Sequence, residues 1–160
     1  MKELALPESE FKYRTENGRR YIFDKIRKKF VAATPEEIVR QRFIAYLTNH
    51  KGYPEGRIGN EISLNLNGCR KRCDTVVYDS YGNPCSIIEY KAPDINITQE
   101  VFNQIARYNI VLRVRFLIVS NGMNHYCCSI DYDSGKCRFI DHIPEYGEML
   151  QQAGQQSAVP

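Results

Sequence analysis

The chain has 160 residues, of which 42% are hydrophobic and 26% charged, and it carries a net charge of +3 with a pI of about 8.5. That length supports one domain with a real core and not two comfortable ones. No apolar run approaches the ~20 residues of a membrane span, and the Met1-Lys2-Glu3-Leu4 start lacks the apolar stretch of a secretory signal. A soluble, cytoplasmic protein is expected, and the mild positive charge admits a nucleic-acid partner without identifying one.

Phe11-Lys12-Tyr13-Arg14 and Arg20-Tyr21-Ile22-Phe23 flank an Asn17-Gly18 pair, which predicts a β-hairpin. Thr34-Pro35-Glu36-Glu37 then reads as a helix start: a capping threonine, a proline suited to the first turn, and two acids at the positive helix end. The helix is expected over 35–49, with Ile38, Phe43, Ala45, Tyr46 and Leu47 as its core stripe and Glu37, Arg40 and Gln41 on a neighbouring face. Gly52 and Pro54 oppose its continuation. Residues 57–66 alternate in the manner of a strand, which Asn67-Gly68 ends.

Two further strands follow, 73–78 and 86–91, around a turn at Tyr81-Gly82-Asn83-Pro84. Thr98-Gln99-Glu100 caps a second helix that runs close to Leu112. The nearly continuous apolar run 114–119 is typical of a central strand covered on both faces. A hairpin, 126–132 and 137–140, closes the order across Asp133-Ser134-Gly135.

The sum is an α/β (α+β) protein, a mixed central sheet flanked by helices with an N-terminal β-hairpin. The second helix is long enough for a parallel crossover. One domain is expected: a hairpin extension over 1–33, a core over 34–145 and a disordered tail over 146–160, with disorder clearest from Gln151 on. The six cysteines sit mostly beside apolar strand residues, which predicts reduced thiols. Cys69-x-x-x-Cys73 allows a zinc reading, but a second ligand pair at matching distance is missing.

Chemistry concentrates between Cys73 and Lys91. Side chains alternate along a strand, so Glu89 and Lys91 project together with Tyr90 opposed. A hairpin return would bring Asp74 alongside Glu89. Two carboxylates and a lysine at one sheet edge suit a divalent ion and an attacking water. A surface ion pair is the ordinary explanation of Glu89 and Lys91, yet these charges close an apolar strand whose centre should be buried, where they need a partner or a task. Gln104 and Tyr108 share a helix face that begins just after the loop leaving Lys91. Basic clusters at 25–29, at Arg70-Lys71-Arg72 and at Arg113 with Arg115 could meet phosphates, the middle one directly beside Asp74.

Asp74, Glu89-x-Lys91 and Gln104-x-x-x-Tyr108 together resemble the PD-(D/E)xK nuclease site with its Gln-x-x-x-Tyr extension. The closest likeness is to the N-terminal nuclease domain of type I restriction enzyme R subunits and their stand-alone relatives. Ile22-Phe23-Asp24-x-Ile26-Arg27-Lys28-Lys29, Thr34-Pro35-Glu36-Glu37-x-x-Arg40-Gln41, Glu89-Tyr90-Lys91-Ala92-Pro93, Gln104-x-x-Arg107-Tyr108-Asn109 and Ser120-Asn121-Gly122 carry the resemblance over roughly residues 11–145.

The resemblance implies a restriction-endonuclease-like fold that cleaves DNA as an endonuclease or exonuclease module, with Mg²⁺ or alternatively Mn²⁺. Asp74 and Glu89, with a backbone carbonyl near Tyr90, would hold the metal, Lys91 would act on the attacking water, and Gln104 and Tyr108 would bind substrate. Glu37 is the candidate third metal carboxylate and Glu61 a weaker one. DNA is the implied partner, while motor or specificity subunits and homodimer pairing stay open. No Walker phosphate-binding motif occurs, so targeting and ATP use are not expected in this chain. The alternative reading is a non-catalytic nucleic-acid-binding or assembly module with the same fold.

Overall fold

The structure, a computed structural model, describes residues 2–156, with only the backbone of 152–156. Three strands, β1 (Tyr13–Glu16), β2 (Arg19–Asp24) and β3 (Lys29–Ala32), form an antiparallel N-terminal ribbon. The hairpin read from Asn17-Gly18 is its first half. The third strand escapes a local reading because the turn before it is made by Asp24, whose Oδ1 accepts the amides of Ile26 (2.7 Å) and Arg27 (3.1 Å), while Lys28 turns with φ 53°. A run of charge thus conceals a tight turn.

Helix α1 (Pro35–His50) begins as its sequence dictates, with the Thr34 hydroxyl accepting the Glu37 amide at 3.1 Å. The main sheet comprises β4 (Ile58–Leu66), β5 (Cys69–Tyr78), β6 (Pro84–Tyr90), β7 (Phe116–Ser120), β8 (His125–Asp131) and β9 (Lys136–Ile140), side by side in that order. Only β6 and β7 pair in parallel, joined through α2 (Gln99–Leu112). Thr98 occupies the α2 cap position, but its side chain makes no capping bond.

Strand β5 begins at Cys69, four residues before the expected start, so β4 and β5 make a long hairpin. At its tip Asn67 (φ 52°) and Gly68 (φ 78°) are both left-handed, as a tight two-residue turn needs. The C-terminal segment also departs from expectation. Helix α3 (Tyr146–Gln156) replaces the tail, and residues 157–160 lie outside those described. Met149 anchors it, fully buried against Tyr53 and Cys85, while the Tyr146 hydroxyl donates to the Tyr78 carbonyl at 2.9 Å. Cys128 and Cys137 are joined across β8 and β9, where six reduced thiols were expected; Cys69, Cys73, Cys85 and Cys127 remain free. No helix among the described residues is long and apolar enough to cross a membrane.

Each face of the sheet has its own core. On one, Val39, Phe43, Ile44 and Leu47 of α1 pack with Ile88, Tyr90, Ile118 and Met149; on the other, Val101, Phe102, Ile105 and Tyr108 of α2 pack with Ile87, Val119 and Cys73. Strict alternation along β4 and β5 would carry each strand along a single core. Instead both change sides at one place: Ile58 and Val77 belong to the α1 core, Leu64 and Cys73 to the α2 core. The step falls at Glu61, which turns with φ 57° opposite Asp74, the one position missing from an otherwise continuous ladder between Asn60–Thr75 and Ile62–Cys73. Gly59 permits the crowding, because a Cβ there would meet Ile62 Cδ1 at 2.8 Å. Such irregularities re-aim side chains, and here the re-aimed residue is Asp74.

Candidate active site

The β5–β6 ladder pairs Thr75 with Ile88, so one more step sets Asp74 opposite Glu89. Asp74 is fastened there, with Oδ2 accepting the Tyr90 amide at 2.9 Å. The hairpin return read from the sequence therefore does bring the two acids together. Lys91 lies just beyond β6, its amide donating to the Ser120 carbonyl at 2.9 Å, and its ammonium charge acts on Glu89. Helix α2 contributes Tyr108, buried on the same side, where it is exposed to the Glu89 charge and hydrogen-bonded by Gln104. Asp74, Glu89, Lys91, Gln104 and Tyr108 thus occupy one neighbourhood.

Glu89 is only 6% exposed, and its Oε2 has no hydrogen-bond partner among the described residues. Burial, then the Asp74 charge, push its carboxyl up to about 8, against the pull of Lys91. Asp74 rises to about 6: burial outweighs the Tyr90 amide and the Arg40 guanidinium, and Glu36 and Glu61 add repulsion. Negative charge in this pair is under-compensated.

Glu37 does not join the pair. Its Oε1 accepts from Arg27 Nη2 (2.7 Å) and Gln41 Nε2 (2.9 Å), and Oε2 lies 3.7 Å from Arg40 Nε. Glu61 is likewise engaged, with Oε1 2.6 Å from Arg40 Nη2 and Oε2 3.3 Å from Arg72 Nη1. The helix acid whose charge reaches both Asp74 and Glu89 is Glu36. Its sequence signal is the four-residue spacing to Arg40, which places the two on one helix face.

Arg40, only 4% exposed, is the second residue that sequence reasoning left without a role. Its Nη1 donates to the Asp74 carbonyl at 3.3 Å and its Nη2 lies 3.7 Å from Asp74 Oδ1. Behind it the network continues through Glu37 and Arg27 to Asp24, which Arg27 Nε and Asn60 Nδ2 (3.0 Å) both contact; Asn60 in turn accepts from Thr75 Oγ1 at 2.7 Å. The ribbon is therefore wired to β4, β5 and α1.

Among the described residues no three His, Cys, Asp or Glu side chains form a group able to hold a metal unaided. Cys69 and Cys73 sit four residues apart on one strand, about 13 Å at strand rise, too far to share an ion. Burial, then the Glu89 and Asp74 charges, push the Cys73 thiol up to about 12, the reverse of what a zinc thiolate needs. Oxygen donors alone suit the acid pair, and those fit a hard cation.

The family model of the type I restriction enzyme R protein N terminus (HSDR_N) matches residues 35–144. In fold the chain is similar to a fragment, described as from an HsdR subunit of a type I restriction enzyme, of Vibrio vulnificus YJ016. The TM-score is 0.59 at 17% identity, covering 79% of this chain and 26% of that one. The chain thus spans about a quarter of that structure. No curated protein matches it.

Proposed function

The chain belongs to the type I restriction enzyme R protein N-terminal family, and on that premise we propose that it hydrolyses phosphodiester bonds of DNA with Mg²⁺ at the Asp74–Glu89–Lys91 end of the sheet. The observation that carries this reading is the under-compensated pair: a half-buried and a buried carboxylate on adjacent strands, both pushed upward, the buried one with an orphan oxygen. Leaving buried charge unmatched is costly, and such sites coincide with function.

Asp74 and Glu89 would hold the metal, with the Glu36 charge from α1, rather than Glu37, adding to the negative field that draws it in. When bound, the ion would polarise a phosphoryl oxygen and make a water acidic. Lys91 would orient that water and steady the charge developing on phosphorus. Tyr108, held by Gln104, would position the substrate backbone beside Glu89. Arg40 would fix Asp74 from behind through both its carboxylate and its carbonyl. Motor and specificity functions would come from other parts of a restriction complex, with this module supplying the cut.

The test is cleavage of supercoiled and linear DNA by the purified chain in Mg²⁺ or Mn²⁺, beside calorimetric titration of Mg²⁺. Cleavage lost in Asp74→Asn, Glu89→Gln and Lys91→Ala, with unchanged melting cooperativity, is the expected result. A wild-type chain that neither cuts any form of DNA nor binds the ion would end the proposal.

A further inference from the structure

Resting on that reading, we infer that one face of the β4–β5 arm is a track for the nucleic-acid backbone leading into the acid pair. Strand β6 pairs with β5 only from Thr75 onward, so residues 62–73 of the two strands pair with each other alone and project past the site. One face of this arm belongs to the α2 core through Ile62, Leu64 and Cys73. Alternation puts Ser63, Asn65, Arg70 and Arg72 on the other face, and all four are exposed, with Arg72 opposite Ser63 and Arg70 opposite Asn65.

Charge and spacing name the occupant. Residues 62–73 hold three cations, Arg70, Lys71 and Arg72, and no acid. Arg70 and Arg72 sit two residues apart on this face, about 6.6 Å at strand rise, close to the step between successive phosphates of a nucleic-acid strand, and the strand reaches Asp74 just beyond them. The face is continuous with the site: Arg72 meets Glu61, Glu61 meets Arg40, and Arg40 meets Asp74. Two guanidiniums beside a serine and an asparagine make a row of donors, and a phosphate backbone presents a row of acceptors. An acidic protein segment would match the charge but not a register that ends at a phosphodiester-cleaving centre.

Arg70 and Lys71 separate this inference from general electrostatic attraction, because they are adjacent, equally charged and on opposite faces of the arm. Binding of a short fluorescein-labelled DNA duplex is measured by anisotropy across a salt series, with Ca²⁺ replacing Mg²⁺ and thermal melts confirming that the variants fold. Arg70→Ala is expected to weaken binding about five- to tenfold and to flatten the salt dependence by about one released ion; Lys71→Ala should stay within about twofold, and Arg70→Lys should recover most of the loss. Equal losses in R70A and K71A, or no loss in R70A while the wild type binds, would overturn the track and leave the cleavage reading standing. The reverse pattern, R70A weakened but wild type unable to cut under Mg²⁺, sinks catalysis and keeps the track. A wild type that does not bind the duplex overturns both.

Discussion

Two groups of buried or half-buried carboxylates lie beside the first turn of α1, and the fold treats them in opposite ways. Asp24 and Glu37 are matched almost atom for atom. Both Asp24 oxygens accept two donors each, from the Ile26 and Arg27 amides and from the Arg27 and Asn60 side chains, while Glu37 is held by Arg27, Gln41 and Arg40. Asp74 and Glu89 receive one backbone amide, a distant guanidinium and the field of Lys91. Burial presses on Asp24 as well, but the hydrogen bonds of Arg27 and Asn60 outweigh it and hold that carboxyl below its ordinary value, whereas the acid pair is pushed up. The difference separates acids whose charge the fold matches from acids whose charge it leaves largely unmatched.

The sharpest way to break this comparison is to neutralise one acid in each group. Glu89→Gln should lower DNA cleavage by about a thousandfold or more, roughly 4 kcal/mol of barrier, while leaving the melting temperature at pH 8 unchanged or higher, since it removes repulsion. Asp24→Ala should do the converse. It takes one of two carboxylate partners from Arg27 and a partner from Asn60, so unfolding in urea should show a loss of about 3 kcal/mol, with activity per folded molecule falling far less. If Glu89→Gln destabilises the protein as Asp24→Ala does, both acids are scaffold and the distinction fails.

Much of this was legible residue by residue. Thr34-Pro35 announces α1, Asn67-Gly68 the arm's tip, and the two-residue offset of Glu89 and Lys91 follows from strand geometry. The pairing of Asp74 with Glu89 needs only a hairpin return. What cannot be read locally depends on partners far along the chain. Asp24 is separated from Asn60 by 36 residues and Arg40 from Asp74 by 34, so neither the buried network nor the engagement of Glu37 by Arg27 and Gln41 shows in spacing. The step at Glu61 is equally hidden: β4 looks regular because each half of it alternates correctly, only toward different cores. Helix α3 escapes notice because only two anchors, Tyr146 and Met149, at the start of a glutamine-rich segment, hold its described side chains down.

The two groups also respond to pH with opposite sign, which yields a smaller but diagnostic effect. Asp24 has a depressed pKa in the fold, so its contribution is present above the unfolded value near 4 and is lost as pH falls below it. Asp74 and Glu89 are raised to about 6 and about 8, so the unfolded chain releases their protons first and stability declines as pH climbs from about 4 to about 8. Metal-free protein should therefore melt highest near pH 5 and lose a few degrees by pH 8. Glu89→Gln should flatten that alkaline decline, and Mg²⁺ should raise the melting temperature more at pH 8 than at pH 5. A decline that persists unchanged in the glutamine variant would assign it to other groups.

The finest discrimination lies between two neighbouring residues of α1. Glu36 and Glu37 are adjacent in sequence, both in the first helical turn, and equivalent to any argument from the helix dipole. Only Glu36 repels both members of the acid pair, and only Glu37 is spent on Arg27, Gln41 and Arg40. Glu36→Gln should therefore weaken Mg²⁺ about fivefold in calorimetry, about 1 kcal/mol, with no loss of thermal stability. Glu37→Gln should leave Mg²⁺ affinity within about twofold and lower the melting temperature by unbalancing Arg27 and Arg40. Were the two substitutions to exchange these effects, the matched and unmatched acids would have to be redrawn, with Glu37 leaving its arginines to bind the ion.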